Sequence, residues 1–135
     1  MENRKIMVCV TQQKQCKRLI EKAYTLKKSE DDELFVIHVV KEDWRYFGHL
    51  KEADALDYLF ESAKAYGAML NVFKAKDIEG TLATFAEKES VDVIVMGESL
   101  EASRQQNMIN RLQDRTKKEV DFEIVSQDYT IKVDR

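Results

Sequence analysis

The feature that most constrains the fold of this chain is a short apolar run that ends at a glycine, residues 91–97 (VDVIVMG). An apolar run of this length is typical of a β-strand buried on both faces, as in a parallel sheet covered by helices. A glycine at the end of such a strand lets the backbone turn sharply and come close to a bound group. Residues 91–97 therefore predict a central parallel strand that ends at a ligand site.

Four further apolar runs have the length and composition of strands, and helical patterns lie between them. The five predicted strands cover residues 5–10, 34–40, 68–73, 91–97 and 120–125. Thr11 and Asp77 are expected to cap the first and third helices, and Gly67 is expected to end the second. Lys27 and Lys28 are placed in the last turn of the first helix, where the helix dipole favours positive charge. The fourth helix is expected over residues 103–118.

Alternation of strands and helices predicts a parallel sheet with right-handed crossovers, a three-layer α/β/α fold. The 135 residues fit a single domain. Residues 1–126 form this domain in our interpretation. Residues 127–135 form a C-terminal tail or an extra edge strand, since Tyr129, Ile131 and Val133 alternate with polar residues.

Composition narrows the classes of partner. The formal net charge of −3 does not favour a general nucleic-acid or membrane-surface partner. The apolar runs are shorter than the roughly 20 residues that a membrane helix needs, and the N-terminus has no signal-peptide pattern, so a cytoplasmic location is expected. Cys9 and Cys16 lack the spacing of metal ligands and are interpreted as small buried hydrophobic residues.

Ligand chemistry is expected where the strands end, at residues 11–13, 41–47 and 97–99. Neither common phosphate-loop motif is present, because the four glycines are scattered. His38 lies within a predicted buried strand and His49 at the start of a helix, so neither has the access that a general base needs. The carboxylates of residues 31–33 are assigned to a solvated turn. The residues therefore favour a protein that is not an enzyme.

An aromatic segment, Trp44-Arg45-Tyr46-Phe47, follows the second strand. One interpretation is that a ring stacks on a nucleotide base beside the strand ends. The alternative is that these side chains pack over the edge of the sheet. The sequence leaves both open.

Three segments, residues 5–10, 36–40 and 92–97, together resemble the signatures of the universal stress protein domain, and the likeness extends from about residue 5 to residue 125. It is nearest to the Usp-type domain of KdpD-type potassium-responsive sensor kinases, on residues 8–11, 82–86 and 112–115. The resemblance implies a Rossmann-like, adenine nucleotide alpha hydrolase-like sheet of five strands in the order 3-2-1-4-5, a homodimer, and a sensor kinase or other signalling partner.

The resemblance also implies an adenine nucleotide, such as ATP, AMP or cyclic di-AMP, at the ends of strands 1, 2 and 4. Family members that bind ATP carry an Asp after the first strand and the motif Gly-x2-Gly-x9-Gly-Ser/Thr. On this chain the Asp position is Thr11, and the motif falls on Gly97, Leu100, Asn110 and Arg111, so only its first glycine is present. The implied nucleotide-binding residues are Thr11, Gln12, Val39, Met96, Gly97, Ser99, Asn110 and Arg111.

Three other interpretations remain open. Arg104 and Arg111 could hold an anion in place of the missing glycines. The domain could also be a nucleotide-free dimeric interaction module that pairs through its fifth strand. A nucleotide-hydrolysing or adenylating enzyme is the weaker third possibility.

Overall fold

The computed structural model of the protein describes residues 3–10, 16–41, 49–98, 101–116 and 118–126. Strands and helices alternate along these residues, as predicted. In chain order the elements are β1 (Lys5–Val10), α1 (Cys16–Thr25), β2 (Glu33–Lys41), α2 (His49–Ala65), β3 (Met69–Ala75), α3 (Ile78–Glu89), β4 (Val93–Gly97), α4 (Ala102–Arg115) and β5 (Asp121–Val125).

All pairings in the five-stranded sheet are parallel, and the strand order is β3-β2-β1-β4-β5. The predicted order is therefore confirmed. β1 lies at the centre, where Val8 is in register with Val36 of β2 on one side and with Val95 of β4 on the other. Such a strand is covered on both faces, which explains its continuous apolar sequence.

Two hydrophobic clusters lie on opposite faces of the sheet. Residues of α1 and α2 cover the face that carries Val8 of β1, and residues of α3 and α4 cover the face that carries Met7. Because successive side chains of a strand point to opposite faces, one strand contributes to both clusters. The result is the predicted three-layer arrangement, which leaves the carboxyl ends of the strands along one edge of the sheet.

Helix α1 ends at Thr25, which corrects the prediction that Lys27 and Lys28 form its last turn. The physical reason is Asp32, whose carboxylate accepts the main-chain N–H of Lys28 at 2.8 Å and of Ser29 at 3.3 Å. Asp32 is only 6% exposed, so it does not belong to a solvated turn either. The Asp32 carboxylate thus offers these N–H groups an alternative to the hydrogen bonds of a continued helix.

Other predicted boundaries shift by two or three residues. β4 begins at Val93. Just before it, the Asp92 N–H donates to the Lys5 carbonyl oxygen and the Asp92 carboxylate accepts the Lys5 N–H, both at 2.8 Å. α4 ends at Arg115, where the Thr116 hydroxyl and the Gln113 side chain bond to the carbonyl oxygen of Lys118. β3 runs on to Ala75.

Two of the predicted helix caps are confirmed. Gly67 follows α2 with a φ of +67°, a left-handed conformation that glycine adopts without strain. The Asp77 side chain accepts the N–H of Gly80 at 3.0 Å at the start of α3. The predicted cap Thr11 and the predicted tail 127–135 lie outside the described residues. Within the described part of the chain, no helix is long and apolar enough to cross a membrane.

Candidate functional site

The strand order reverses between β1 and β4, since the chain adds β2 and β3 on one side of β1 and β4 and β5 on the other. Ligands of open α/β sheets bind at such a reversal, outside the carboxyl ends of the strands. Cys9 of β1 is in register with Met96 of β4, so Val10 and Gly97 come next on the two strands. We call the space beyond Val10 and Gly97 the carboxyl-end crevice.

The backbone around Gly97 is held from two neighbouring elements. The side-chain amide of Gln105, on α4, donates to the Gly97 carbonyl oxygen at 2.8 Å. The Glu98 N–H donates to the carbonyl oxygen of Val125, the last residue of β5, at 2.9 Å. These bonds fix where β4 ends and where the loop to α4 begins.

The backbone conformation at position 97 does not require a glycine. Among the described glycines, Gly67 has a positive φ and Gly97 does not. A Cβ built on Gly97 would lie 3.5 Å from Nη2 of Arg18 and 3.7 Å from Cδ2 of Leu19, which are ordinary contact distances. Of the two reasons for a glycine at this position, a left-handed backbone does not apply. The remaining reason is that a residue without a side chain lets other groups come close to the backbone.

Arg18 is a residue of this site that the sequence analysis missed. It lies in the first turn of α1 and is only 9% exposed. Its Nη1 donates to the carbonyl oxygens of Ser126 at 2.8 Å and Val125 at 3.4 Å, across the end of β5.

His38 is 3% exposed, which confirms its prediction as a buried histidine. Its Nδ1 lies 2.8 Å from the carbonyl oxygen of Val10, and because a carbonyl only accepts, Nδ1 carries the proton of this bond. His38 therefore ties β2 to the last residue of β1 at the border of the carboxyl-end crevice.

Val39 and Met96 are 7% and 5% exposed and belong to one hydrophobic cluster, on the α3 and α4 face. Both predicted residues therefore face the α3 and α4 side of the sheet, and Gly97 directly follows Met96. Thr11, Gln12 and Ser99 lie outside the described residues, as does the aromatic segment 44–47.

The family model for the Universal stress protein family matches residues 2–115 of this chain. The chain belongs to the universal stress protein family. No curated protein sequence matches it significantly.

Solved structures of the universal stress protein family share the fold. A universal stress protein in complex with cAMP is 20% identical, with a TM-score of 0.60 over 93% of this chain and 98% of that chain. The universal stress protein of Archaeoglobus fulgidus in complex with dAMP is 15% identical, with a TM-score of 0.58 over 93% and 98%. A family protein of Arabidopsis thaliana with AMP bound is 17% identical, with a TM-score of 0.56 over 94% and 95%.

The positions on which the universal stress protein motif falls are spread along β4 and α4 in this structure. Residues 98–101 connect β4 to α4, and the helix begins at Ala102. Asn110 and Arg111 are therefore eight and nine residues into α4, about 12 Å along the helix axis from its start. The nine-residue spacer of the family motif falls largely within a helix, so the structure does not bring Asn110 and Arg111 beside Gly97.

The cations predicted to hold an anion have acidic partners. Arg111 forms an ion pair with Glu79 of α3, and Arg104 forms one with Glu101 at 3.1 Å. Asn110 accepts a hydrogen bond from the Gln106 side chain at 3.0 Å. The role of Asn110 and Arg111 in nucleotide binding stays a prediction, and their described contacts serve α4 and its packing on α3.

The described side chains around the crevice supply a guanidinium, amide groups and apolar surface. Burial raises the pKa of the Cys9 thiol to about 12, so this thiol is not a nucleophile at neutral pH. No group of three or more His, Cys, Asp or Glu side chains able to hold a metal occurs among the described residues.

Proposed function

We propose that this chain is a non-enzymatic regulatory or stress-response signalling domain that binds an adenine nucleotide in the carboxyl-end crevice. The observation that carries the proposal is the end of β4 at Gly97, which lies at the strand-order reversal and is bonded there to Gln105, while the next residue, Glu98, is bonded to β5. Relatives of the same fold crystallised with cAMP, dAMP and AMP support the choice of ligand class. ATP, AMP and cyclic di-AMP are the candidates that we favour.

In this proposal the loops after β1 and β4 contribute Thr11, Gln12 and Ser99, while Val39 and Met96 lie below the ligand. The absence of catalysis is part of the proposal. It is supported by His38, whose ring is buried and whose Nδ1 is bonded to the Val10 carbonyl oxygen. A general base needs contact with the proton that it removes.

Calorimetric titration with AMP, ATP, cAMP and cyclic di-AMP tests the ligand class, and amide NMR shifts test the position. We expect binding of at least one nucleotide, with shifts concentrated at Val10, Gly97 and Glu98. Gly67 and Ser90, which precede the amino ends of β3 and β4, should shift little. A folded protein that takes up none of these nucleotides contradicts the proposal.

Gln105→Leu removes the side chain that holds the Gly97 carbonyl. We expect it to weaken nucleotide binding about threefold to tenfold, the value of one hydrogen bond. Gln106→Leu is the matched control, because the neighbouring side chain bonds to Asn110 rather than to Gly97. If the two variants weakened nucleotide binding equally, the end of β4 at Gly97 would not be part of the ligand site.

We also propose the closer kinship with the Usp-type domain of KdpD-type sensor kinases, with a cytoplasmic location and a sensor kinase or other signalling protein as partner. Residues 8–11, 82–86 and 112–115 carry this proposal. Preference for cyclic di-AMP over AMP in the same titrations would favour it. A preference for AMP or ATP would favour a different branch of the family.

A second candidate function is a nucleotide-free dimeric interaction module. β5 favours it, because this strand pairs only with β4 in the described sheet and its three central residues are partly exposed. Light scattering tests it without a ligand. A mass of twice 15.8 kDa is expected for the dimer, and a concentration-independent mass of 15.8 kDa would contradict it.

A further inference from the structure

Strand β3 forms one edge of the sheet, at the opposite side from β5. Among the described residues no strand pairs with its outer side. β3 is seven residues long and stays in unbroken parallel register with β2 from Met69 to Ala75, without a proline. The free main-chain groups of such a regular edge pair readily with another strand. The outer side of β3 is therefore a candidate interaction surface.

Exposed apolar side chains are concentrated on β3 and on the helix that leads into it. Met69 and Val72 of β3 are 48% and 44% exposed. Tyr58 and Phe60, on α2, are exposed to a similar extent. Within the described part of the chain, Tyr24 is the only other large hydrophobic residue that is exposed. Apolar surface gathered on neighbouring elements is typical of an interaction site.

A groove of about 730 Å³ lies between β3 and α3. Phe73, Ala75 and Phe85 supply its apolar lining, and the rings of Phe73 and Phe85 are 6.2 Å apart. Asp77 and Lys88, at the two ends of α3, also line it. The groove shows that α3 covers this face of β3 incompletely. A strand added to the outer side of β3 would extend over it.

We propose that the outer side of β3 binds β3 of a second copy of this chain in antiparallel orientation, which joins the two sheets into one. A two-fold axis normal to the sheet keeps each residue on the same face in both copies. Since successive side chains point to opposite faces, such an axis lies between two copies of the same residue. Val72 is the middle residue of β3, so it would lie opposite the partner's Val72.

The charges of this surface are complementary to themselves in that register. Lys74 is the only charged residue of β3, and it would lie opposite the partner's Leu70, so no like charges meet across the strands. The same axis sets α3 antiparallel to α3 of the partner. Asp77 would then lie on the same side as the partner's Lys88, with opposite charge, and the symmetry produces this pair twice. This self-complementarity is why a second copy is the partner that we choose.

Disulfide cross-linking of the full chain tests the register. Directly opposite residues of antiparallel strands have Cα atoms about 4.5–5.5 Å apart, within the range of a disulfide. Val72→Cys is therefore expected to form a covalent dimer on mild oxidation. Lys74→Cys is the matched control on the same strand and face. Its two copies would lie four residues apart along the strands, about 13 Å, so it should give no more dimer than the wild type with its native cysteines.

Light scattering over a range of concentrations measures the affinity without added cysteines. The wild-type mass is expected to rise from 15.8 kDa towards twice that value. Lys88→Glu should weaken dimerisation about threefold to tenfold, because it places like charges at both Asp77 pairs. Lys17→Glu is the control with the same change of charge, since Lys17 is exposed on α1, which covers the other face of the sheet.

A wild-type protein that stays at 15.8 kDa at every concentration would overturn the proposal. So would equal cross-linking of Val72→Cys and Lys74→Cys. A dimer whose affinity Lys88→Glu leaves unchanged would assign the contact to another surface, such as β5. Melting temperatures confirm that the variants are folded, and if Val72→Cys is not, the comparison of Lys88→Glu with Lys17→Glu decides. None of these outcomes bears on the proposed nucleotide site, which lies elsewhere on the sheet.

Discussion

At the scale of single residues, Cys9 and His38 show how position in a parallel strand decides chemistry. Both lie in strands covered by helices, with exposures of 4% and 3%. The thiol cannot ionise without burying a charge, and the imidazole is held by a carbonyl oxygen. Burial and neighbouring main-chain groups thus set the surroundings of both side chains.

We expect Cys9 to resist alkylation in the native protein. Its pKa is raised to about 12 by burial, so the reactive thiolate is scarce at pH 8, and reagents cannot reach it. Iodoacetamide labelling with peptide mass mapping measures this, and denaturant serves as the control that exposes the thiol. Rapid native labelling of Cys9 would mean that the strands open readily.

Gly67 is expected to be sensitive to a methyl group despite having space for one. No atom lies within 4 Å of a Cβ at this position, but its φ of +67° strains any other residue. Gly67→Ala should therefore cost about 1 kcal/mol of the free energy of unfolding. Gly97→Ala, which lacks a positive φ, is the control and should be close to neutral. Chemical denaturation that ranks the two variants in the opposite order would refute the backbone explanation.

At the scale of elements, two aspartates join the amino ends of the strands. The Asp32 carboxylate accepts the N–H of Arg4 at 2.9 Å and that of Lys28, which fastens β1 to the turn before β2. The Asp92 carboxylate accepts the N–H of Lys5 at 2.8 Å and the ammonium of Lys118 at 2.7 Å, which joins β1 and β4. Each connects segments that are distant in sequence.

Both carboxyls have pKa values below the usual range. For Asp32, the N–H groups of Arg4 and Lys28 lower the pKa, burial opposes them, and the N–H of Ser29 adds to the lowering. For Asp92, burial raises the pKa, but the hydrogen bonds from Lys118 and from the Lys5 N–H outweigh it. Each therefore stabilises the fold above the pKa of an unfolded aspartate, about 3.9, and this stability is lost as the pH falls through the lower folded-state value.

We expect Asp32→Asn and Asp92→Asn to lower the melting temperature at pH 7 and to flatten its decline in acid. The wild-type curve should approach the variant curves as the pH falls from the unfolded-state pKa of about 3.9 towards the lower folded-state values of the two carboxyls. Asp31→Asn is the control, because that neighbouring side chain is exposed. Variant and wild-type curves that stay parallel down to pH 2 would contradict this assignment.

At the scale of the whole molecule, the two hydrophobic clusters share one sheet. Ile20 of α1 and Ile94 of β4 are both fully buried, one in each cluster. Because β1 contributes side chains to both, neither cluster can lose its packing without affecting the other. This coupling favours a single cooperative unfolding transition.

We therefore expect Ile20→Ala and Ile94→Ala each to lower the free energy of unfolding by about 2–5 kcal/mol while unfolding stays a single transition. Val72→Ala is the control, since Val72 is 44% exposed and should cost much less. Denaturant unfolding followed by both circular dichroism and fluorescence measures this. A second transition in either variant would show that the two faces unfold separately.

Much of the fold could be predicted because it follows from local patterns. The apolar runs 5–10 and 91–97 contain strands β1 and β4, and Gly67 and Asp77 act as the caps that their residue types favour. The boundary of α1 was wrong, since it depends on Asp32, whose burial could not be seen in a run of acidic residues. Val39, Met96 and Gly97 lie towards the carboxyl ends of β2 and β4 as predicted, and Asn110 and Arg111 fall within α4. The part of these residues in nucleotide binding stays a prediction.

The sequence by itself determined the order and type of the elements and the glycine at the end of the central strand. Hydrophobic periodicity and capping residues act over a few neighbouring residues, and the alternation of strands and helices follows from them. These features can therefore be recognised without the tertiary structure. The tertiary structure alone decided which groups meet beside Gly97. Arg18 contacts carbonyl oxygens 107 and 108 residues away in the chain, and Lys5 bonds to a carboxylate 87 residues away. Such contacts exist only after the sheet has assembled, because it is the strand order that brings the ends of β1, β4 and β5 together.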